Sequence, residues 1–341
     1  MAAGALKEGN MSNQISENHG MYGEIKIFAG TAIPEVAQGI ADYLGLSCSG
    51  MDIIEFPNEN LWVRLHKSVR GQDVYLIQNT SRPVHRNLME LLITLQTLRL
   101  DSAGRVTAVI PYLSYTRSDK KDKPRVPITA RLIADMIEIA GADRYMTMDM
   151  HAGQIQGFFS IPGDVLTAYH ILKDKIHKLL PHMKDPVVLT VDLGFAKKGR
   201  NLAAELGVPI AFIEKRRKSK TNAAEALTLI GETEDRDVII IDDEVDTAGS
   251  MAEAAHLAAR NGARGIYSVF VHPVFSGPAV DRLAETPISH LITTNSVPIP
   301  SQDIKKLQKG RKVDILDISP LLGEVIRRAH EGRSVGEMFD E

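Results

Sequence analysis

The stretch from Val238 to Ser250 carries residue types that suit the binding of a sugar phosphate. It reads V-I-I-I-D-D-E-V-D-T-A-G-S. In a loop of small residues at the start of a helix, backbone N–H groups can surround a phosphate dianion, and the hydroxyls of Thr247 and Ser250 add donors. The carboxylates of Asp242 and Asp243 can accept hydrogen bonds from vicinal sugar hydroxyls. The alternative is an ordinary strand-to-helix turn, in which Asp and Ser only cap the helix.

The residues on either side of this loop predict how it is positioned. Four β-branched apolar residues, Val238 to Ile241, are typical of a strand that is buried on both faces of a parallel sheet. The two carboxylates then lie at the carboxyl end of that strand, where open α/β sheets bind ligands. An Ala-rich helix is predicted over residues 251–261, with Gly262 as its stop.

A second candidate site combines His151 and Asp192, which follow predicted strands at 144–148 and 186–191. Both residues therefore lie at the ligand-binding edge of a sheet. A His and an Asp from two domains can share a divalent ion, because Mg²⁺ commonly takes few protein ligands and completes its shell with phosphate oxygens and water. The alternative for His151 is a structural hydrogen bond.

Two basic segments are candidates for binding nucleotide phosphates. Arg117, in the charged loop 111–125, can grip phosphate oxygens with its guanidinium fork, and Asp119 or Asp122 can orient it. The run from Lys215 to Lys220 follows a strand and lacks apolar periodicity. A loop of this kind can close over a polyphosphate and offset charge in a transition state. The alternative for both segments is a solvated charged loop.

The order of predicted elements sets the fold class. Strands and helices alternate through both halves, which predicts an α/β fold of two related domains, each a mostly parallel sheet flanked by helices. We place a disordered tail at 1–22, an N-terminal domain at 23–165 and a C-terminal domain at 166–341. A helix is predicted over 165–180, and the last helix, over 321–330, is a candidate for packing back on the N-terminal domain.

Composition excludes several functional classes. The 341 residues include 40 Lys and Arg against 43 Asp and Glu, a balance that argues against nucleic-acid binding. Cys48 is the one cysteine, so no intramolecular disulfide forms, and a reducing cytoplasm is the expected compartment. No apolar run approaches the ~20 residues of a membrane span, and the polar first residues lack the features of a secretory signal.

With these segments together, the chain from about Glu24 onwards resembles the ribose-phosphate diphosphokinases of the type I phosphoribosyltransferase superfamily. A phosphoribosyltransferase itself would lack most of the matching segments in the first half. The matching segments are F-x-N at Phe56, S-V-R-G at Ser68, R-x-D-K-K-D-K-x-R-x-P-I at Arg117, T-M-D-x-H-A-x-Q-I-Q-G-F-F-x-I-P at Thr147, K-x-R at Lys215, D-D-x-x-D-T-x-G-S at Asp242 and F-S-G-P-A at Phe275.

The resemblance implies an enzyme that transfers the β,γ-diphosphoryl group of ATP to the C1 hydroxyl of ribose 5-phosphate and releases AMP, for nucleotide biosynthesis. It implies Mg²⁺ at His151 and Asp192, and catalysis by Lys215 and Arg217. The residues it assigns to ribose 5-phosphate are Arg217, Asp242, Asp243, Asp246, Thr247, Ala248, Gly249 and Ser250. Those it assigns to ATP are Phe56, Asn58, Asn60, Arg117, Ser118, Asp122 and His151.

The resemblance also implies regulation and assembly. Members of the family form hexamers, and many are activated by inorganic phosphate and inhibited by ADP. We therefore expect a homo-hexamer with both effectors. The residues that resemble the effector site are Ser68, Arg70, Gln156 and Ser334.

Four positions depart from the family pattern. Asn60 replaces a Glu, Ser118 replaces a Gln, and Leu193 and Phe195 replace small residues beside Asp192. These changes motivate one alternative, a weakly active or regulatory paralogue of the enzyme. A phosphoribosyltransferase is a further alternative, although no base-binding segment is evident.

Overall fold

A parallel sheet organises the first half of the chain. The computed structural model describes residues 22–191, 196–216 and 226–338, with the backbone alone at 215, 216, 226 and 227. The strands of this half are β1 Ile25–Ala29, β2 Met51–Glu55, β3 Leu61–Leu65, β4 Asp73–Ile77, β5 Arg105–Ile110, β6 Arg144–Met148 and β7 Gly163–Leu166. Five of them pair in parallel in the order β1-β4-β5-β6-β7, and β2 and β3 form an antiparallel hairpin.

Helices cover both faces of this sheet, and every residue of β4 is accordingly buried. The helices of the first half are α1 Pro34–Leu44, α2 Val84–Leu100 and α3 Thr129–Ala140. Apolar residues of α2 and α3 pack on one face, and those of α1 pack on the other.

A seven-stranded sheet organises the second half. Its strands are β8 Val187–Thr190, β9 Ile210–Arg216, β10 Ala226–Ile230, β11 Asp237–Glu244, β12 Gly265–His272, β13 His290–Thr294 and β14 Lys312–Leu316. They pair in the order β10-β9-β8-β11-β12-β13-β14, with β10 antiparallel to β9 and the remaining pairs parallel. The strand order reverses between β8 and β11, and a crevice for ligands is expected at such a reversal.

The helices of the second half are α4 Tyr169–Leu179, α5 Ala196–Leu206, α6 Gly249–Arg260, α7 Ala279–Ala284, α8 Ser301–Leu307 and α9 Ser319–Glu331. One cluster of buried side chains runs from the first sheet through α1, α4 and α9 to the second sheet. The predicted fold class, with two mostly parallel sheets flanked by helices, is confirmed.

The last helix lies against the first half of the chain. The hydroxyl of Tyr43 in α1 donates to Glu324 in α9 at 3.0 Å. Nδ1 of His330 lies 2.8 Å from the buried carboxylate of Asp73 at the start of β4, and Arg105 donates to the same carboxylate at 2.6 Å. The ion pair of Asp73 with Arg105 therefore holds His330, and with it α9, at the amino end of the first sheet.

One predicted element begins at the wrong residue. The helix expected over 165–180 starts at Tyr169, because Gly163–Leu166 forms β7 and pairs with β6. This strand has only four residues, one of them an aspartate, so the alternation of apolar and polar residues that indicates a strand is not visible in the sequence. Within the described ranges, no helix combines the length and the apolar character that a membrane crossing requires.

Candidate active site

The loop after β11 stands at the reversal of strand order in the second sheet. The strand is buried as far as Ile241, and the carboxylates of Asp242, Asp243 and Glu244 follow at its carboxyl end. The backbone then turns sharply at Ala248, which has a φ of 60°, and α6 begins at Gly249. A residue other than glycine in this left-handed conformation is typical of a tightly determined functional loop.

The first turn of α6 directs backbone N–H groups towards the position where an anion would bind. Its first internal hydrogen bond runs from Ala252 N–H to the carbonyl of Ala248, so the amides of the preceding residues point out of the helix start. Arg282 in α7 braces the loop by donating to the carbonyl of Thr247 at 3.0 Å. Backbone amides, a helix dipole and nearby hydroxyls together make this loop suitable for a phosphate group. We call residues 246–250 the phosphate loop.

Arg117 reaches this loop from the first half of the chain. Its guanidinium forms an ion pair with Glu244, and its Nη1 lies 3.3 Å from Oδ2 of Asp246. Burial works to lower the pKa of Arg117, but the two carboxylates outweigh it and raise the pKa. The guanidinium is thus a permanent cation beside the phosphate loop. Glu244 was not predicted as a site residue, and its place inside the D-D-x-x-D motif was the available signal.

Arg117 and Asp246, the first residue of the phosphate loop, border a common cavity of about 590 Å³. Its lining includes His85 and Tyr112 from the first half and Glu244 and Ser276 from the second. A cavity of this size suits a nucleotide-sized ligand. Arg117 of the first half and Asp246 of the second therefore open onto one space.

The neighbouring residue Ser118 has a structural task. Its Oγ accepts a hydrogen bond from the backbone N–H of Thr129 at 3.2 Å, and its carbonyl accepts from Ala130. The side chain therefore satisfies the start of α3 in the manner of a helix cap. Asp122, in the same loop, is exposed.

His151 faces the acidic strand end of the second half. Its Nδ1 lies 3.6 Å from Oδ2 of Asp243, and this interaction raises the pKa of His151. Burial works to raise the pKa of Asp243, but the contact with His151 outweighs it and lowers the pKa. Asp192, the other predicted metal ligand, lies outside the described residues. The same holds for Arg217 and for the side chain of Lys215.

The donor set suits a hard cation that is held mainly through substrate and water. The described residues contain no cluster of three or more His, Cys, Asp or Glu side chains arranged for a metal. They do place the carboxylate of Asp243 beside His151, and Mg²⁺ accepts one or two such ligands when phosphate oxygens complete its shell. The residues present therefore fit Mg²⁺ bound together with a nucleotide.

Asp149 is a second buried acid that the sequence analysis did not single out. Its carboxylate accepts hydrogen bonds from Thr167 Oγ1 at 2.9 Å and Ala168 N–H at 2.7 Å, and Lys198 of α5 lies 4.0 Å away. Burial raises its pKa. The residue ties the carboxyl end of β6, two positions before His151, to the start of α4. Its place in the T-M-D-x-H segment was the available signal.

The predicted adenine-binding residues lie at the tip of the β2–β3 hairpin. Phe56 is 47% exposed, and Asn58 and Asn60 are exposed too. The backbone N–H of Asn60 donates to Oδ1 of Asn58 at 3.2 Å, which closes the turn. Among the described residues, no hydrogen bond or ion pair joins this tip to Arg117 or His151. The assignment of adenine to these residues stays a prediction.

The four predicted effector residues lie on three separate segments. Ser68 and Arg70 share the β3–β4 connection, where Arg70 N–H lies 3.3 Å from Ser68 Oγ. Gln156 lies in a short 3₁₀-helix at Gly153–Phe158. Ser334 follows α9, and its carbonyl accepts a hydrogen bond from Arg328. Their assignment to one site also stays a prediction.

The two sheets and the phosphate loop define a two-domain α/β protein of the phosphoribosyl-binding class. The family profile described as the N-terminal domain of ribose phosphate pyrophosphokinase matches residues 25–141, and a profile described as the phosphoribosyl synthetase-associated domain matches 217–340. The chain belongs to the ribose-phosphate pyrophosphokinase family, and it is an enzyme of that family.

Individual relatives span nearly the whole chain. The ribose-phosphate pyrophosphokinase of Aquifex aeolicus is 42% identical over 92% of this chain and 99% of its own length. The protein of the same name from Clostridium tetani is 42% identical over 93% of this chain and 97% of its own length. The crystal structure of phosphoribosylpyrophosphate synthetase from Mycobacterium smegmatis has a TM-score of 0.83 and 36% identity, and the match covers 91% of this chain and 99% of that one.

Proposed function

We propose that this enzyme transfers the diphosphoryl group of ATP to the C1 hydroxyl of ribose 5-phosphate, giving 5-phosphoribosyl 1-diphosphate and AMP. The observation that carries the proposal is the approach of Arg117, from the first half, to the phosphate loop of the second half. Arg117, a cation for a polyphosphate, and Asp246, the first residue of the loop proposed to hold the sugar phosphate, border one cavity. The names of the relatives support the same substrates.

The proposed reaction is an in-line displacement at phosphorus. The C1 oxygen attacks the β-phosphorus, and its proton passes to solvent. The bond from that phosphorus to the oxygen bridging to the α-phosphate breaks, and AMP departs with the electron pair. Such a transfer needs chiefly positioning and charge stabilisation, and positioning alone contributes ~7–11 kcal/mol.

Each group in the site has a proposed task in this reaction. Residues 246–250 hold the 5-phosphate, and Asp242 and Asp243 accept hydrogen bonds from the ribose hydroxyls. Together they fix the sugar at both ends, so that its C1 oxygen faces the nucleotide. Arg117 binds ATP phosphates. Lys215 and Arg217 stabilise the charge on the group in transit, as a basic loop over a polyphosphate does.

Magnesium is the proposed cofactor. When bound, it supplies charge neutralisation on the phosphate oxygens. His151, with Asp243 beside it and Asp192 as the second predicted ligand, would hold the ion together with the nucleotide. Inorganic phosphate and ADP are proposed as effectors, a homo-hexamer as the assembly and the cytoplasm as the compartment.

The test is the release of AMP from ATP by the purified full-length chain. We expect release that requires both ribose 5-phosphate and Mg²⁺, that stops with a chelator and that is restored by excess Mg²⁺. Ribose without its phosphate is the matched control, since it lacks the group that the phosphate loop binds. If AMP appeared at the same rate with ribose or with no sugar, the proposal would be wrong. Activity of the chain alone would also exclude a regulatory subunit.

A further inference from the structure

His272 forms hydrogen bonds to both halves of the site. It is the last residue of β12 and is 2% exposed. Its carbonyl accepts a hydrogen bond at 2.9 Å from the backbone N–H of Val245, the residue before the phosphate loop. Its ring Nε2 lies 3.1 Å from the carbonyl oxygen of Met148, three residues before His151. One residue therefore bonds to the strand ends that carry the two half-sites.

The direction of the ring contact follows from its partner. A carbonyl oxygen has no hydrogen to give, so Nε2 must carry the proton and donate to Met148. The other ring nitrogen, Nδ1, lies 2.9 Å from Oγ of Ser296, which also belongs to the second half. Both nitrogens of the imidazole are thus engaged, and the ring has one defined orientation.

A second bridge runs parallel to the first. Asn79, fully buried after β4, donates to the carbonyl of Ser296 at 2.6 Å and accepts from the backbone N–H of Tyr112 at 2.8 Å. The ring of Tyr112 meets the ring of His272 edge to face, with centroids 5.1 Å apart. The carboxyl ends of β4, β5, β6, β12 and β13 are therefore joined by one buried polar network.

This network affects the distance between the two substrates rather than the chemical step itself. A satisfied buried polar network is rigid, because any slip leaves donors and acceptors without partners in a low dielectric. A transfer between two substrates held by different domains depends on the gap between them, and a misplacement of about 1 Å can lower the rate about a hundredfold. His272 lies directly behind the cavity wall, because it pairs with Glu244 in the sheet and its carbonyl also accepts a hydrogen bond at 3.0 Å from the N–H of Val274. It is therefore well placed to set that gap.

We propose that His272 is a positioning residue that fixes the phosphate loop relative to the β6 end that bears His151. The inference rests on the proposed function, since it concerns the alignment of the two substrates. Each substrate binds to one half, so loss of the bridge leaves separate binding intact and lowers the rate of transfer.

Two substitutions at this position differ in where they place the side-chain amide nitrogen. In His272→Gln the side-chain amide nitrogen reaches the place of Nε2 and can still donate to Met148, whereas in His272→Asn it reaches only the place of Nδ1. We expect kcat of His272→Asn to fall at least about tenfold and that of His272→Gln to stay within about threefold of the unaltered enzyme. Titration calorimetry with ribose 5-phosphate alone, and with a non-hydrolysable ATP analogue alone, should give dissociation constants within about twofold for all three.

His290→Asn is the control for stability. His290 is also buried in this sheet, and its Nε2 lies 2.8 Å from Asp314. It stands at the amino end of β13, and this contact lies within the second half. We expect it to lower the melting temperature and leave kcat unchanged. If His272→Asn proves insoluble, Ser296→Ala takes its place, because it frees Nδ1 and should lower kcat by about threefold or more.

Several results would overturn the inference. Equal kcat values for His272→Asn and His290→Asn would mean that the bridge does not align the substrates. A fall in kcat for His272→Gln as large as that for His272→Asn would show that the bond to Met148 is not what matters. An inactive unaltered enzyme would contradict the proposed function itself, whereas an active one with a fully active His272→Asn contradicts only the positioning role.

Discussion

Nη1 of Arg117 lies 3.3 Å from Oδ2 of Asp246, and the two residues belong to different halves of the chain. Arg117 follows β5 of the first sheet, and Asp246 begins the phosphate loop of the second. Glu244 completes the pairing, with a side chain only 6% exposed. The guanidinium is thus paired with two carboxylates of the half that is proposed to bind the sugar.

Arg117→Ala should weaken the binding of ATP more than that of ribose 5-phosphate. A hydrogen bond to a charged group contributes about 1.5–3 kcal/mol, so KM for ATP should rise about 10- to 100-fold. Steady-state kinetics with each substrate varied in turn measures the split. Arg131→Ala is the control, because Arg131 pairs with Asp135 on the exposed face of α3. A selective rise in KM for ribose 5-phosphate would contradict the assignment.

Thr247→Val should have the opposite selectivity. The substitution keeps the shape of the side chain and removes a hydroxyl from the phosphate loop. We expect KM for ribose 5-phosphate to rise about tenfold, with KM for ATP changed by less than about twofold. Thr97→Val on α2, where the hydroxyl bonds only to the carbonyl of Ile93, is the matched control. An unchanged KM for the sugar would remove Thr247 from the site.

Lys215→Ala tests the basic segment that begins at the end of β9. Loss of one cation that stabilises charge in the transition state should lower kcat by about 10²–10³-fold, with little effect on the unfolding temperature. Lys305→Ala on α8 is the control for a surface lysine. Normal turnover of Lys215→Ala would refute its catalytic assignment, and a loss of folded protein would point to a structural task instead.

The buried carboxylate of Asp73 should make stability depend on pH in acid. Burial works to raise its pKa, but His330 and Arg105 outweigh that effect and lower the pKa. A carboxyl group with a lowered pKa stabilises the fold fully above its unfolded pKa of about 3.9, and the contribution is lost as the pH falls through the folded value. Asp73→Asn should therefore cost about 3 kcal/mol near neutrality.

The difference in urea midpoint between the unaltered chain and Asp73→Asn is the quantity to measure from pH 7 down to about 3. It should be constant near neutrality and shrink below about pH 4. Asp135→Asn, at an exposed ion pair 2.7 Å long, should shift the midpoint little throughout. A difference that grew in acid would have the wrong sign for this mechanism.

Local patterns predicted much of the fold and the loop that we propose to bind phosphate. The run from Val238 to Ile241 is apolar and β-branched, so its burial follows from the residues themselves. The small residues after it determine the turn at Ala248 and the start of α6. These features depend on neighbours in sequence. The buried strand was predicted at the right place, whereas α6 begins at Gly249, two residues before its predicted start.

Contacts between distant segments were not predicted in the same way. The pairing of Glu244 with Arg117 and of His272 with Met148 depends on how the two sheets face each other, which no local period encodes. The last two residues of β7 were assigned to the following helix, because a four-residue strand with one aspartate is too short to show a strand or a helix period. α7, α8 and β14 were missed for a similar reason, since each is short.

The position of α9 has a consequence for how the chain is made. This helix leaves the ribosome long after α1, yet its Val325 and Ile326 share a buried cluster with Val36 and Ile40 of α1. The first half therefore cannot reach its final burial before α9 has been made, and the apolar surface of α1 needs shelter until then. A nascent chain stalled before Ser319 should bind a chaperone that the completed chain releases.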